Sequence, residues 1–191
     1  PQPQRRVERS LAVQLNVQIT QCLDVPAILT VVQTSLDDFD LINMVTSTYR
    51  LAKLGASPKI FEDRRMQNLL NALRTRLLES ETYERGSLSN SLWALAKMRF
   101  VVRKEEDLIL VGRIADMAVQ GMPMLQHMEL ANLSWAFSAI GVTYKRPGEP
   151  RRPHKDNELL FRGMTLQLRE KLTRFFVEVA RVAPPLLPRF R

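Results

Sequence analysis

Cysteine occurs once, at Cys22, and histidine twice, at His127 and His154, in a chain of 191 residues. A single thiol closes no disulfide, and two imidazoles far from it in sequence complete no Cys/His zinc site. Cys22 reads most simply as a small buried apolar residue in a reducing compartment. No run approaches the roughly 18 uninterrupted apolar residues of a membrane-spanning helix. Sustained alternation of apolar and polar residues between turn signals is missing too, so no strands are expected. There is no Gly-rich phosphate loop, no G-x-S-x-G elbow and no histidine pair at metal spacing. The expectation is therefore a chain with no catalytic residue, no bound metal, no cofactor and no small-molecule substrate.

What is present is a 45% apolar content, enough for a sizeable core, and 28 Lys and Arg against 20 Asp and Glu, a net charge of +8. Such an excess favours an anionic partner, either nucleic acid or an acidic membrane surface. It is unevenly spread. Residues 1–125 hold 16 basic and 14 acidic residues, whereas residues 126–191 hold 12 and 6. The opening stretch, with Arg5, Arg6 and Arg9 against Glu8, fits either the remnant of an Arg-rich transit segment or a solvated tail leading into a helix.

The chain repeats itself. Aligning Trp93 with Trp135 brings Leu88 over Leu130, Asn90 over Asn132, Ala94 over Ala136 and Arg99 over Gly141. Aligning Tyr49 with Trp93 brings Ala52 over Ala96, Lys53 over Lys97 and Gly55 over Arg99. The aromatic spacings are 44 and 42 residues. A period of that size, with two helices in each copy, predicts an all-α solenoid of helical hairpins whose function lies on a surface. Residues 1–37 form an N-terminal helical segment, readable as a degenerate repeat. Three repeats follow at 38–80, 81–123 and 124–181, then a tail at 182–191.

Within this frame, residues 5–23 show Val7, Leu11 and Leu15 at helical spacing, and Asp24 with Pro26 suits the start of a second helix through Leu36. Ser35 and Asp38 resemble a capping box that would place Asp37, Asp38 and Asp40 in the first turn of the next helix. That helix carries Leu41, Met44, Val45, Thr48, Leu51 and Ala52 and ends at Gly55 and Pro58. Its partner shows Met66, Leu69, Leu70, Leu73 and Leu77. In the second repeat the stripes are Leu88, Leu92, Leu95 and Ala96, then Leu108, Val111, Gly112, Ala115 and Ala118, closed by Gly121 and Pro123. Gly112, Ala115 and Ala118 are small enough for close approach of another helix. The third repeat is interrupted at 142–157 by a loop rich in proline and basic residues. Its last helix, Glu158 to Arg181, would bury Phe161, Met164, Leu168, Leu172, Phe175 and Val179 and expose Arg162 and Arg169.

Leu88, Asn90, Trp93, Ala94 and Ala96, and again Leu130, Asn132, Trp135, Ala136 and Ala139, give the chain a motif that resembles the octotricopeptide and heptatricopeptide repeat families. The resemblance spans about Asp38 to Phe176, with Arg99 in place of a closing glycine. It implies an α-solenoid of mitochondria, or alternatively of chloroplasts or other plastids, that binds RNA as a maturation factor or as part of an organellar ribosome.

Two surfaces are candidates for RNA contact. One is a basic patch of Lys145, Arg146, Arg151, Arg152 and Lys155 in the loop with Arg162 and Arg169 on the last helix. The other is a column opposite the leucine stripes, formed by Thr46, Arg50 and Lys53, then Asn90 and Lys97, then Asn132. Trp93 and Trp135 could stack bases, but their equivalence in successive repeats fits buried inter-helix packing better. The expected role is non-catalytic contact with RNA, most plausibly ribosomal RNA in a mitochondrial ribosome, among neighbouring proteins of a large ribonucleoprotein. The alternatives are a protein-binding scaffold in another mitochondrial complex and an organellar RNA-processing or translation factor.

Overall fold

The computed structural model describes the backbone of residues 3–79, 86–102, 105–143 and 155–182, and their side chains except at 3–10, 141–143 and 155–165. Among the described residues there are eight α-helices and no strands. The chain divides into two compact units, Pro1–Glu79 and Ser80–Arg191.

The first unit contains α1 (Pro3–Gln21), α2 (Val25–Ser35), α3 (Leu41–Lys53) and α4 (Arg64–Glu79). α1 packs on α3 and α2 on α4, and α3 also meets α4. Asp24 caps α2 by accepting a 2.8 Å bond from the Ala27 amide, with proline in the first turn, as the sequence predicts. Leu15 and Ile19 carry the buried face of α1, while Leu11 is exposed. α4 buries Met66, Leu69, Leu70, Leu73 and Leu77, the whole predicted stripe.

The capping box lies elsewhere than expected. Residues Leu36–Asp38 form a short 3-10 turn, and Ser35 makes no side-chain cap. α3 is capped instead by Asp40, whose carboxylate accepts from the Asn43 amide at 2.8 Å while Asn43 Oδ1 accepts from the Asp40 amide at 3.3 Å. Asn43 is fully buried, and its Nδ2 donates to the Ala12 carbonyl at 2.9 Å, tying α3 to α1. One side chain thus serves a helix start and a neighbouring helix backbone together.

The second unit contains α5 (Ser87–Lys97), α6 (Glu105–Gln120), α7 (His127–Thr143) and α8 (Lys155–Val182). α5 packs on α7 and α6 on α8. Leu88, Leu92, Leu95, Leu130, Leu133, Ala136, Phe137 and Ile140 are buried. Phe137 meets the fully buried Phe175 of α8 edge to face at 4.8 Å. α8 starts three residues earlier than predicted, inside the expected loop, and α7 runs two residues past Gly141, so that glycine does not close it.

The ends of α3 and α5 are closed alike. The Gly55 amide donates to the Ala52 carbonyl at 3.2 Å and the Ala56 amide to Leu51 at 3.0 Å, with Gly55 at φ +76°. In α5 the Arg99 amide donates to Ala96 at 3.0 Å and the Phe100 amide to Leu95 at 2.9 Å, with Arg99 at φ +60°. Both are Schellman closures with the left-handed residue just past the helix. The sequence alignment of Gly55 with Arg99 therefore holds in backbone geometry, with arginine doing what glycine does more easily.

Candidate nucleic-acid interface

α5 is buried almost all round. Only Asn90, Trp93 and Lys97 interrupt the buried positions between Ser87 and Ala96 and beyond, and they fall at i, i+3 and i+7. This is one helical face. On α7 the residues buried toward α5 and the core are Leu130, Leu133, Ala136, Phe137 and Ile140. The opposite face carries Met128, Asn132 and Trp135 at i, i+4 and i+7, with Met128 and Trp135 exposed.

The two tryptophans were expected to be buried between helices, and the structure corrects this. Trp135 is 46% exposed and Trp93 half-buried. Their rings pack against each other, centroids 6.4 Å apart and planes inclined by 41°. The reason is angular: Trp93 shares its face with Asn90 and Lys97 and lies about 100° or more from the Leu88, Leu92 and Leu95 side chains. Repeat equivalence marked the position as apolar without saying which face it occupies.

Glu129, which sequence reasoning missed, fixes how α5 and α7 start. One carboxylate oxygen accepts from the Gly86 amide at 2.6 Å and the other from the Gln126 amide at 2.8 Å. The carboxylate thus meets the otherwise unpaired amides at two helix N-termini. A Glu in a first turn is a common capping feature, but its reach to a helix 43 residues earlier has no sequence signature.

Asn90, Lys97 and Asn132, three of the predicted contact residues, are therefore brought to one side of the α5 and α7 pair, beside the indoles. Thr46, Arg50 and Lys53 belong to the first unit. Lys53 is exposed, its Nζ 5.5 Å from the Tyr49 ring centroid. Arg50 is not displayed as predicted: it is half-buried, and its Nη2 donates to the Cys22 carbonyl at 2.6 Å. It anchors the corner after α1. Cys22 is half-buried and its thiol donates to the Gln18 carbonyl at 3.3 Å. Burial pushes that thiol above its usual range, opposed by the Arg50 charge and assisted by Asp24, so the nucleophilic thiolate is disfavoured.

In the basic patch, Arg169 is exposed on α8, as are Arg174 and Arg181. Lys155 and Arg162 lie on the α8 backbone, but their side chains, and Lys145, Arg146, Arg151 and Arg152 entirely, lie outside the described residues. Lys171 faces α6 and pairs with Asp116 at 2.5 Å. Among the described residues no group of three or more His, Cys, Asp or Glu could hold a metal ion, and no helix is long and apolar enough to cross a membrane. No protein-family model, curated protein or solved structure matches this chain.

Proposed function

We propose that the chain is a non-catalytic, RNA-contacting helical-repeat protein, a structural component of a mitochondrial ribosome that binds ribosomal RNA among neighbouring proteins. The observation that carries this reading is the uneven charge: a net +6 in residues 126–191 against +2 in the preceding 125. A basic segment joined to an arginine-bearing helix neutralises several phosphates together, which positions a protein on RNA without reading its sequence. The tryptophan motifs, by their resemblance to organellar repeat families, direct the reading to mitochondria. The helix pairs are read with it as repeats of the solenoid type.

The test is a variant with Arg151, Arg152, Arg162 and Arg169 replaced by Ala. RNA affinity falls to a similar degree across unrelated sequences, and the slope of log affinity against log salt drops by roughly 0.7 for each lost phosphate contact on a single strand. Unchanged affinity and slope, with helicity intact by circular dichroism, reject the patch as an RNA site. The scaffold reading draws on one specific observation, the exposed Val13 and Val17 on α1 with Leu23 at 88% exposure, side chains suited to a protein neighbour. It gains if the variant binds RNA unchanged.

A further inference from the structure

We infer that the paired indoles of Trp93 and Trp135 are a stacking platform for unpaired RNA bases, with Asn90, Asn132 and Lys97 around them. This rests on the RNA-binding reading above but uses a different surface, the outer face of α5 and α7 rather than the loop and α8.

Three observations lead to it. First, a single exposed apolar residue is ordinary, but here two indoles adjoin at a tilt of 41°, and Trp135, 46% exposed, shares α7 with the exposed Met128. Aromatic surface of this kind accepts the π-face of any base, a contact worth about tenfold in affinity or more per base. Second, the polar residues on the same faces are amides and an ammonium. Asn90 and Asn132 each offer two donors and an acceptor to base edges, and Lys97, exposed one turn beyond Trp93, offers a cation to phosphate. Third, the described residues of the two helices carry little acid. α5 contains no Asp or Glu, and the one acid of α7 in its described part, Glu129, has both oxygens engaged by backbone amides. A duplex keeps its bases stacked internally, whereas single strands, loops and bulges present them to aromatic side chains. The expected ligand is therefore unpaired RNA.

The chain contains only two tryptophans, so its indole emission reports on this face alone. Oligoadenylate of about ten nucleotides, within the span such surfaces cover, is titrated at low salt while binding is followed independently by anisotropy of a label on the RNA. The single strand quenches the emission; an abasic phosphodiester of equal length and an RNA duplex bind without quenching. Trp135→Ala weakens single-strand binding about tenfold with the salt slope unchanged, and Trp135→Phe restores most of it. Binding with full affinity by Trp135→Ala, or binding by anisotropy without quenching, overturns the platform and leaves the face to a protein neighbour, while RNA binding through the basic patch stands. Failure to bind any RNA at low salt overturns both.

Discussion

If Arg99 holds a glycine's place, exchanging the two residues' chemistry should change stability in opposite directions at the two helix ends. Arg99 at φ +60° and Gly55 at φ +76° close α5 and α3 with the same pair of backbone bonds. An L-residue in this region costs roughly 1–2 kcal/mol relative to glycine, and glycine returns about 0.4–1 kcal/mol of that through its freer unfolded chain. Arg99→Gly should therefore stabilise by about 0.5–1 kcal/mol, since the arginine side chain is exposed. Gly55→Ala should destabilise by about 1 kcal/mol, and the folded-state cost is backbone strain without a clash, because a Cβ built there meets nothing within 4 Å. Urea unfolding followed by circular dichroism gives both numbers, and an unchanged slope with denaturant shows that stability has changed while the surface exposed on unfolding has not. A destabilised Arg99→Gly would mean that the arginine side chain contributes something its exposure does not indicate. Two effects of the same sign would refute the equivalence of the two helix ends, and with it the alignment of Tyr49 with Trp93.

Other expected outcomes follow from single contacts. Glu129→Ala removes two charge-assisted bonds to backbone amides and should cost about 2 kcal/mol by urea unfolding, with Glu129→Gln losing less. Gly112→Ala should be tolerated or stabilise by about 0.5–1 kcal/mol: a Cβ there would lie 3.6 Å from Lys171, an ordinary contact, while helix propensity improves. Asp63 is held at about 2 chiefly by the side-chain hydrogen bond from Arg65, at 2.7 Å from its Oδ2. Its stabilising contribution is present above the ordinary carboxylate value near 3.8 and is lost as pH falls through about 2. Arg65→Ala should return the Asp63 titration, read by NMR, toward the ordinary value.

The helices were legible because burial imposes a period. The predicted stripe of α4 is buried at every position, and Leu88, Leu92 and Leu95 line the α5 core as their spacing requires. Local signals also sufficed at Asp24 and Gly55, where cap chemistry is confined to a few neighbouring residues. What was illegible depended on which of several local options the packing selects. Ser35 and Asp38 satisfy a capping pattern as well as Asp40 and Asn43 do, but only Asn43 also reaches the Ala12 carbonyl, and that contact lies 31 residues away. Arg50 read as a solvent-facing cation because its partner is a backbone carbonyl, which has no letter of its own. The site was half legible. Asn90 and Lys97 were placed on the outer face, and the same wheel places Trp93 between them; the error was to let apolar character outweigh angular position.

On the proposed reading, RNA holds this protein in its assembly. The direct measurement is sedimentation of the native protein from a mitochondrial extract, with and without ribonuclease. The account predicts co-sedimentation with ribosomal RNA and release of the protein when that RNA is digested at moderate salt, where phosphate contacts already weaken. Sedimentation with a protein complex free of RNA, unmoved by ribonuclease, would contradict it.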